Sequence, residues 1–212
     1  MLFDLMRRAG KPWPVIATAV FASMTCQAMA QTQTGALEPD QPPHLASHGG
    51  TLAGTAFPRW FADRNGVAVE LCGAKNDTLN ACVFDPPIAG DTYSETLGFG
   101  DEAFWWLADT SMPFAGGTAQ LVLGVEAAFG GGPPLAGDEF TFGRVRMRID
   151  VPAAGTYKVT YPFGEEIFTV DAPGTKAINA TLDTGTFAPD FDGPQKSRIG
   201  AFLVWPSGAP VG

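Results

Sequence analysis

Residues 139–170, EFTFGRVRMRIDVPAAGTYKVTYPFGEEIFTV, restrict the fold more than any other part of the chain. Beyond Gly143, Val145, Met147 and Ile149 alternate with Arg144, Arg146 and Arg148. After a turn at 150–155, Tyr157, Val159 and Tyr161 alternate with Lys158 and Thr160, and a turn at Pro162-Phe163-Gly164 leads into 166–170. A period of two puts successive side chains on opposite faces, so the stretch predicts consecutive antiparallel strands with one face in a core. Phe140 and Phe142 precede Gly143 on the other phase, and a glycine at a phase change predicts a β-bulge there. The three arginines share one face of their strand. They form either an anion-binding ladder or cross-strand pairs with carboxylates such as Glu165 or Glu166, and pairing on a solvated sheet surface is the expected state.

The same signals recur upstream. Asp63-Arg64-Asn65-Gly66 reads as a hairpin turn, with Asn-Gly supplying φ > 0, and Val67, Val69 and Leu71 then alternate with Ala68 and Glu70. Residues 84–100 read as loop, and 102–109 as a short aromatic strand in which Trp105 and Trp106 point to opposite faces. Residues 119–129 read as a strand with Leu121, Leu123, Val125, Ala127 and Phe129 inward and Glu126 outward. A strand at 176–182 and an apolar strand candidate at 199–205 follow. With Phe57, Trp60 and Phe61 as anchors, residues 55–212 are expected to form an all-β domain, an antiparallel β-sandwich long enough to bury a core.

Residues 1–30 have the parts of a secretory signal: Arg7, Arg8 and Lys11, then an apolar run, then Ala28-Met29-Ala30, with the cut expected after Ala30. Losing those three basic residues and Asp4 takes the formal charge from −9 to −11, which disfavours nucleic acid and anionic lipid as partners. No second hydrophobic span follows, so a secreted, periplasmic or cell-surface product without a membrane span is expected. Residues 31–54 are rich in Pro, Gly, Gln, Ser and Thr and are expected to be a disordered linker. His44 and His48 both lie there, in a context hostile to the helix that a His-x-x-x-His metal site needs, and are expected to be solvated. Without Cys26, Cys72 and Cys82 remain, and an oxidising compartment is expected to pair them. Asn76, Asp77 and Asn80 between them do not follow EF-hand spacing, so the expectation is a disulfide-clipped turn, with no metal or cofactor.

Residues 152–160, Pro-Ala-Ala-Gly-Thr-Tyr-Lys-Val-Thr, resemble the Gly-Thr-Tyr-x-Val strand of bacterial immunoglobulin-like sandwich domains, where the tyrosine sits at a strand corner and bonds back to the chain. The blocks FPRWFAD, NGVAVELC, EAFWW and GRVRMRID are similar to those of uncharacterised secreted bacterial proteins. The resemblance implies an immunoglobulin-like sandwich continuing past Gly212 and implies no catalytic residue.

With both histidines in the linker and both cysteines paired, Ser-His-Asp and Cys-His arrangements lack their parts. Acids are plentiful (Asp101, Glu102, Asp109, Glu126, Asp150, Glu165, Glu166), so a carboxylate pair of a glycoside-active enzyme is one alternative. A carbohydrate-binding module using exposed Trp60, Trp105 or Trp106 is another, because an indole face packs on the C–H groups of sugar rings. The leading expectation is a non-catalytic secreted or cell-surface protein with a structural or adhesion role, its partner a glycan or a cell-surface protein.

Overall fold

The computed structural model describes residues 45–202 and, in backbone only, the strand Asp4–Arg8. The expected signal segment 1–30 apart from that strand, most of the linker and His44 lie outside the described residues. The described chain is mostly antiparallel β. Four long strands form the main sheet in the order β10-β7-β6-β5: β5 (Ala103–Phe114), β6 (Gly117–Phe129), β7 (Glu139–Val151) and β10 (Gly174–Phe187). A second sheet joins β2 (Leu45–Gly49), β3 (Trp60–Asp63) and β4 (Ala68–Glu70). The hairpin β8 (Gly155–Tyr161) and β9 (Gly164–Val170) leaves the main sheet after β7, and the chain returns to it as β10. The strand β1 (Asp4–Arg8) runs antiparallel along β8, from Asp4 opposite Thr160 to Arg8 opposite Thr156.

One face of the main sheet carries the core. Leu121, Leu123, Val125 and Ala127 of β6 lie beside Val145, Met147 and Ile149 of β7 with almost no exposure. Each such large side chain contributes about 1.5–3 kcal/mol of transfer free energy. Two covers share that face. One is built on Phe57, Phe61, Leu71, Leu97 and Phe99, and the other on Tyr157, Val159 and Phe168 of the β8–β9 hairpin. At the first cover Phe57 touches the rings of Phe99, Trp105, Phe129 and Phe191, and Phe61 meets Trp105 edge-on at 4.8 Å. Offset and edge-on ring pairs of this kind add about 0.5–1.5 kcal/mol beyond burial.

The sequence and the fold differ at several points. Residues 45–49, inside the expected linker, form strand β2: Leu45 is a core residue, and His48 packs on Phe61 while its Nε2 lies 3.1 Å from the Asp190 carbonyl oxygen. The expected loop at 84–100 contains helix α1 (Thr92–Leu97), capped by the Asp91 carboxylate on the amides of Tyr93 and Ser94 and stopped by Gly98 at φ +88. A second short helix, α2 (Gly193–Lys196), follows β10. Residues 199–202 form no strand, although Ile199 and Phe202 are buried; 203–205 lie outside the described residues.

Gly143 carries no bulge. Both ladders of β7 run through it in register, Val125 opposite it on one side and Thr184 on the other. What changes near Gly143 is the chemistry of each face, since Phe140, Phe142, Arg144, Arg146 and Arg148 all project to the side away from the core. The glycine is needed because a methyl there would run into Ser197. The bulge lies instead in β5, between Phe104 and Trp106.

Candidate functional site

The face of the main sheet that points away from the core is the most distinctive surface of the described chain. Three rows cross it by register. Gln120 of β6, Arg148 of β7 and Asn179 of β10 form one; Val122, Arg146 and Thr181 the next; Gly124, Arg144 and Asp183 the third. Beyond them lie Glu126, Phe142 and Gly185, then Ala128, Phe140 and Phe187. Antiparallel register makes each row a line of neighbouring side chains, with strands about 4.8 Å apart.

Arg144 is the hub of the charged part. Its Nε and Nη2 donate to the two carboxylate oxygens of Asp183 at 2.9 and 2.8 Å, and its Nη1 donates to Glu126 Oε2 at 2.9 Å. Its guanidinium also lies 4.7 Å from the Phe142 ring centre. Glu126, expected to face outward, does so but is 1% exposed. Gly124 explains how, because a methyl there would meet the Glu126 carboxylate at 2.6 Å. Burial pushes the Glu126 carboxyl up to about 7, against the pull of Arg144, while Glu102 and Asp183 add to the rise. Arg144 is itself desolvated, yet its bonds to Asp183 and the charge of Glu126 hold its pKa above the usual value. One cation is thus shared between two acids, and the more buried acid bears the proton affinity.

The expected partners of the arginine row were wrong in identity. Glu165 bonds Lys158 at 2.8 Å on the β8–β9 hairpin. Glu166 faces the core instead, paired with Arg198 and 3.3 Å from the Tyr161 hydroxyl. Arg148 has no carboxylate partner among the described residues; its Nη1 donates to the carbonyls of Ala180 at 3.0 Å and Met147 at 3.1 Å. Burial, then the nearby Arg146 and Arg144 charges, hold its pKa below the usual arginine value. The Arg146 side chain makes no hydrogen bond or ion pair among the described residues, and its Nε is buried without a partner.

The aromatic part of the face was missed as a site. Phe140 stacks on Phe142 with centroids 5.4 Å apart and lies 4.7 Å from Phe187, whose side chain is 51% exposed. The signal was present in the sequence: phenylalanines 140 and 142 share the parity of the arginines. The tryptophans lie elsewhere. Trp105 is 4% exposed in the core, where it offers no platform. Trp106 is half-buried between Phe163 and Phe202, at 6.3 and 5.6 Å. The β5 bulge lets both indoles pack into the domain, where an unbroken strand would have turned one outward. Trp60 is half-buried across Gly49, whose Cα leaves the room that its ring fills. The structure brings no two of the three together as a pair of exposed rings.

A separate cleft of about 330 Å³ lies between α1 and the disulfide loop, lined by Arg59, Glu70, Lys75, Asn76, Leu97 and Phe99 among others. Its polar groups are already engaged. Arg59 pairs with Glu70, Lys75 donates to the Thr96 carbonyl, and Asn76 bonds Leu71 O and the Gly73 amide at 2.8 Å each. Cys72 and Cys82 sit with Cα atoms 5.6 Å apart as a disulfide pair, and Asp77 Oδ1 accepts from the Ala81 and Cys82 amides, so the loop is a clipped turn. Among the described residues no three His, Cys, Asp or Glu side chains converge as metal ligands, and no helix is long and apolar enough to cross a membrane. Comparison with protein-family models, curated proteins and solved structures gives no match.

Proposed function

We propose that this chain is a non-catalytic exported β-module with an adhesive role, which binds glycan through the outward face of its main sheet. The observation that carries this reading is the ring edge of exposed Phe187 and half-buried Phe140, which lies beside the arginine row with Phe142 buried between them. An exposed ring edge followed by fixed polar donors on rigid central strands is suited to sugar rings, which present C–H faces and hydroxyls together. Export is supported by the signal-like residues 1–30 and by the cysteine pair.

The finer fold reading, a two-layer sandwich, rests on the shared core and on Tyr157, whose hydroxyl donates to Ala153 O at 2.6 Å in the manner of a strand-corner tyrosine. The order β10-β7-β6-β5 is that of a meander; a Greek key would put the returning strand beside β5. The glycoside-active alternative gains a raised carboxyl in Glu126, but that group is closed off and its oxygen occupied by Arg144.

A glycan array on the mature protein tests the proposal, with Phe187→Ala and Trp106→Ala beside the parent. Binding that falls about tenfold in Phe187→Ala and stays in Trp106→Ala is the expected result. Binding that depends on Trp106 and not on Phe187 would move the site, and an array with no bound glycan would end the glycan reading.

A further inference from the structure

Arg146 and Arg148 are the unexplained charges of the outward face. Arg144 is already compensated by Glu126 and Asp183. Arg148 is held in place by backbone carbonyls and lies 3.4 Å from Thr181 Oγ1, but it has no acid partner among the described residues. The Arg146 Nε is desolvated and bonded to nothing. That Nε is closed off from solvent, so the part of Arg146 open to a ligand is its Nη edge, which has no partner among the described residues.

From these groups we infer that Arg146 and Arg148 form an oxyanion site that takes the carboxylate of an acidic polysaccharide. This rests on the reading of the outward face as a glycan surface. The two arginines are two residues apart on one face of β7, about 7 Å between Cα atoms, so their guanidinium forks can close on one carboxylate. The strand is rigid because β6 and β10 are laddered on both sides of it. Thr181 stands beside Arg146 and Gln120 beside Arg148; Gln120 Nε2 is held by Asp109 and Thr181 Oγ1 lies 3.4 Å from Arg148, which leaves Gln120 Oε1 to accept from a sugar hydroxyl. Six residues along the same strand, about 20 Å away, Phe140 begins the exposed aromatic edge that it shares with Phe187, Phe142 being buried between. An anion site and a ring platform at that spacing suit a chain of several sugars better than a free ion.

Charge narrows the ligand further. The protein is acidic, and the same face holds Asp109, Glu126 and Asp183. Asp109 lies in the Arg146 row two strands away, where Gln120 Nε2 donates to it at 3.2 Å. Double-stranded nucleic acid, with a charge about every 1.7 Å, would meet these carboxylates, whereas a uronate-containing polysaccharide carries at most one carboxylate per sugar ring.

Affinity electrophoresis of the mature protein through gels containing polygalacturonate, alginate or hyaluronate tests the site. Each polymer is run beside its carboxyl-reduced form and with added sodium sulfate. The inference predicts retardation by at least one of these polymers, lost on carboxyl reduction and weakened about tenfold in Arg146→Gln. Arg146→Lys, which keeps the charge but loses the planar fork, should be weakened less than Arg146→Gln, and an unchanged melting temperature shows that each variant folds. Equal retardation by a polymer and its reduced form, or by Arg146→Gln and the parent, overturns the anion site while leaving the glycan face standing. So does retardation that sulfate abolishes at the concentration of polymer carboxylate, which assigns the arginines to a simple inorganic anion. Retardation by none of the polymers, together with a blank glycan array, removes both readings.

Discussion

Glu126 shows how far one side chain can depart from its apparent class. In the sequence it is an acid on the polar phase of a strand, and the phase is right. Its burial is not visible there, because it depends on Gly124 leaving room and on Arg144 arriving from the next strand. Nonlocal pairing of this kind leaves no local pattern. The raised carboxyl has a consequence for stability. A folded-state pKa of about 7 against 4.5 in the unfolded chain means that the folded state holds the proton more tightly. That contribution is fully present below pH 4.5 and is lost as pH rises through 7. Relative to Glu126→Gln, the parent should therefore gain about 3 kcal/mol between pH 8 and pH 4.5. Urea unfolding of both proteins at the two pH values measures it, and parallel pH profiles would contradict the buried, proton-holding glutamate.

At the scale of the element, the strands that could be read were those whose core-facing residues alternate without a break. β6 and the β8–β9 hairpin alternate cleanly and were found close to their observed bounds. Where both faces carry apolar residues the pattern misleads. Phe140 and Phe142 on the outward face made Gly143 look like a bulge, although the backbone runs straight through it. The real bulge, at Trp105, was hidden because residues apolar on both phases surround it. The helix α1 had a signal that the loop reading of 84–100 passed over: Asp91 as cap, Ser94 within its reach and Gly98 as stop. Gly143→Ala distinguishes the two accounts of its glycine. A bulge glycine at the surface would tolerate the change, whereas contact with Ser197 on the core side predicts a loss of about 1–3 kcal/mol. Chemical denaturation gives that difference directly.

Across the whole molecule, the segment after β10 fastens the two covers to each other. The Phe202 amide donates to Asp63 Oδ2 at 2.9 Å at the β3–β4 turn, while Arg198 pairs with buried Glu166 on the hairpin. Neither tie was legible, since each joins residues far apart in sequence, and the hairpin glutamate had been assigned to the arginine row. Removing one partner of a buried pair strands the other. Arg198→Ala should cost about 3–5 kcal/mol, and Arg198→Met combined with Glu166→Leu should recover most of it. Thermal melting of the single and double variants checks this, and a double variant no better than the single would show that the pair itself is not what the segment contributes.

The main sheet therefore carries a core on one face and an ordered, half-buried array of rings and guanidiniums on the other, and the central claim is that this second face does the binding. Amide hydrogen exchange of the protein with and without its bound glycan measures that claim most directly. Added protection at 118–126, 140–148 and 179–187, with none around the disulfide loop, is the result predicted. Protection concentrated at Arg59, Lys75 and α1 would place binding in the cleft and contradict the account.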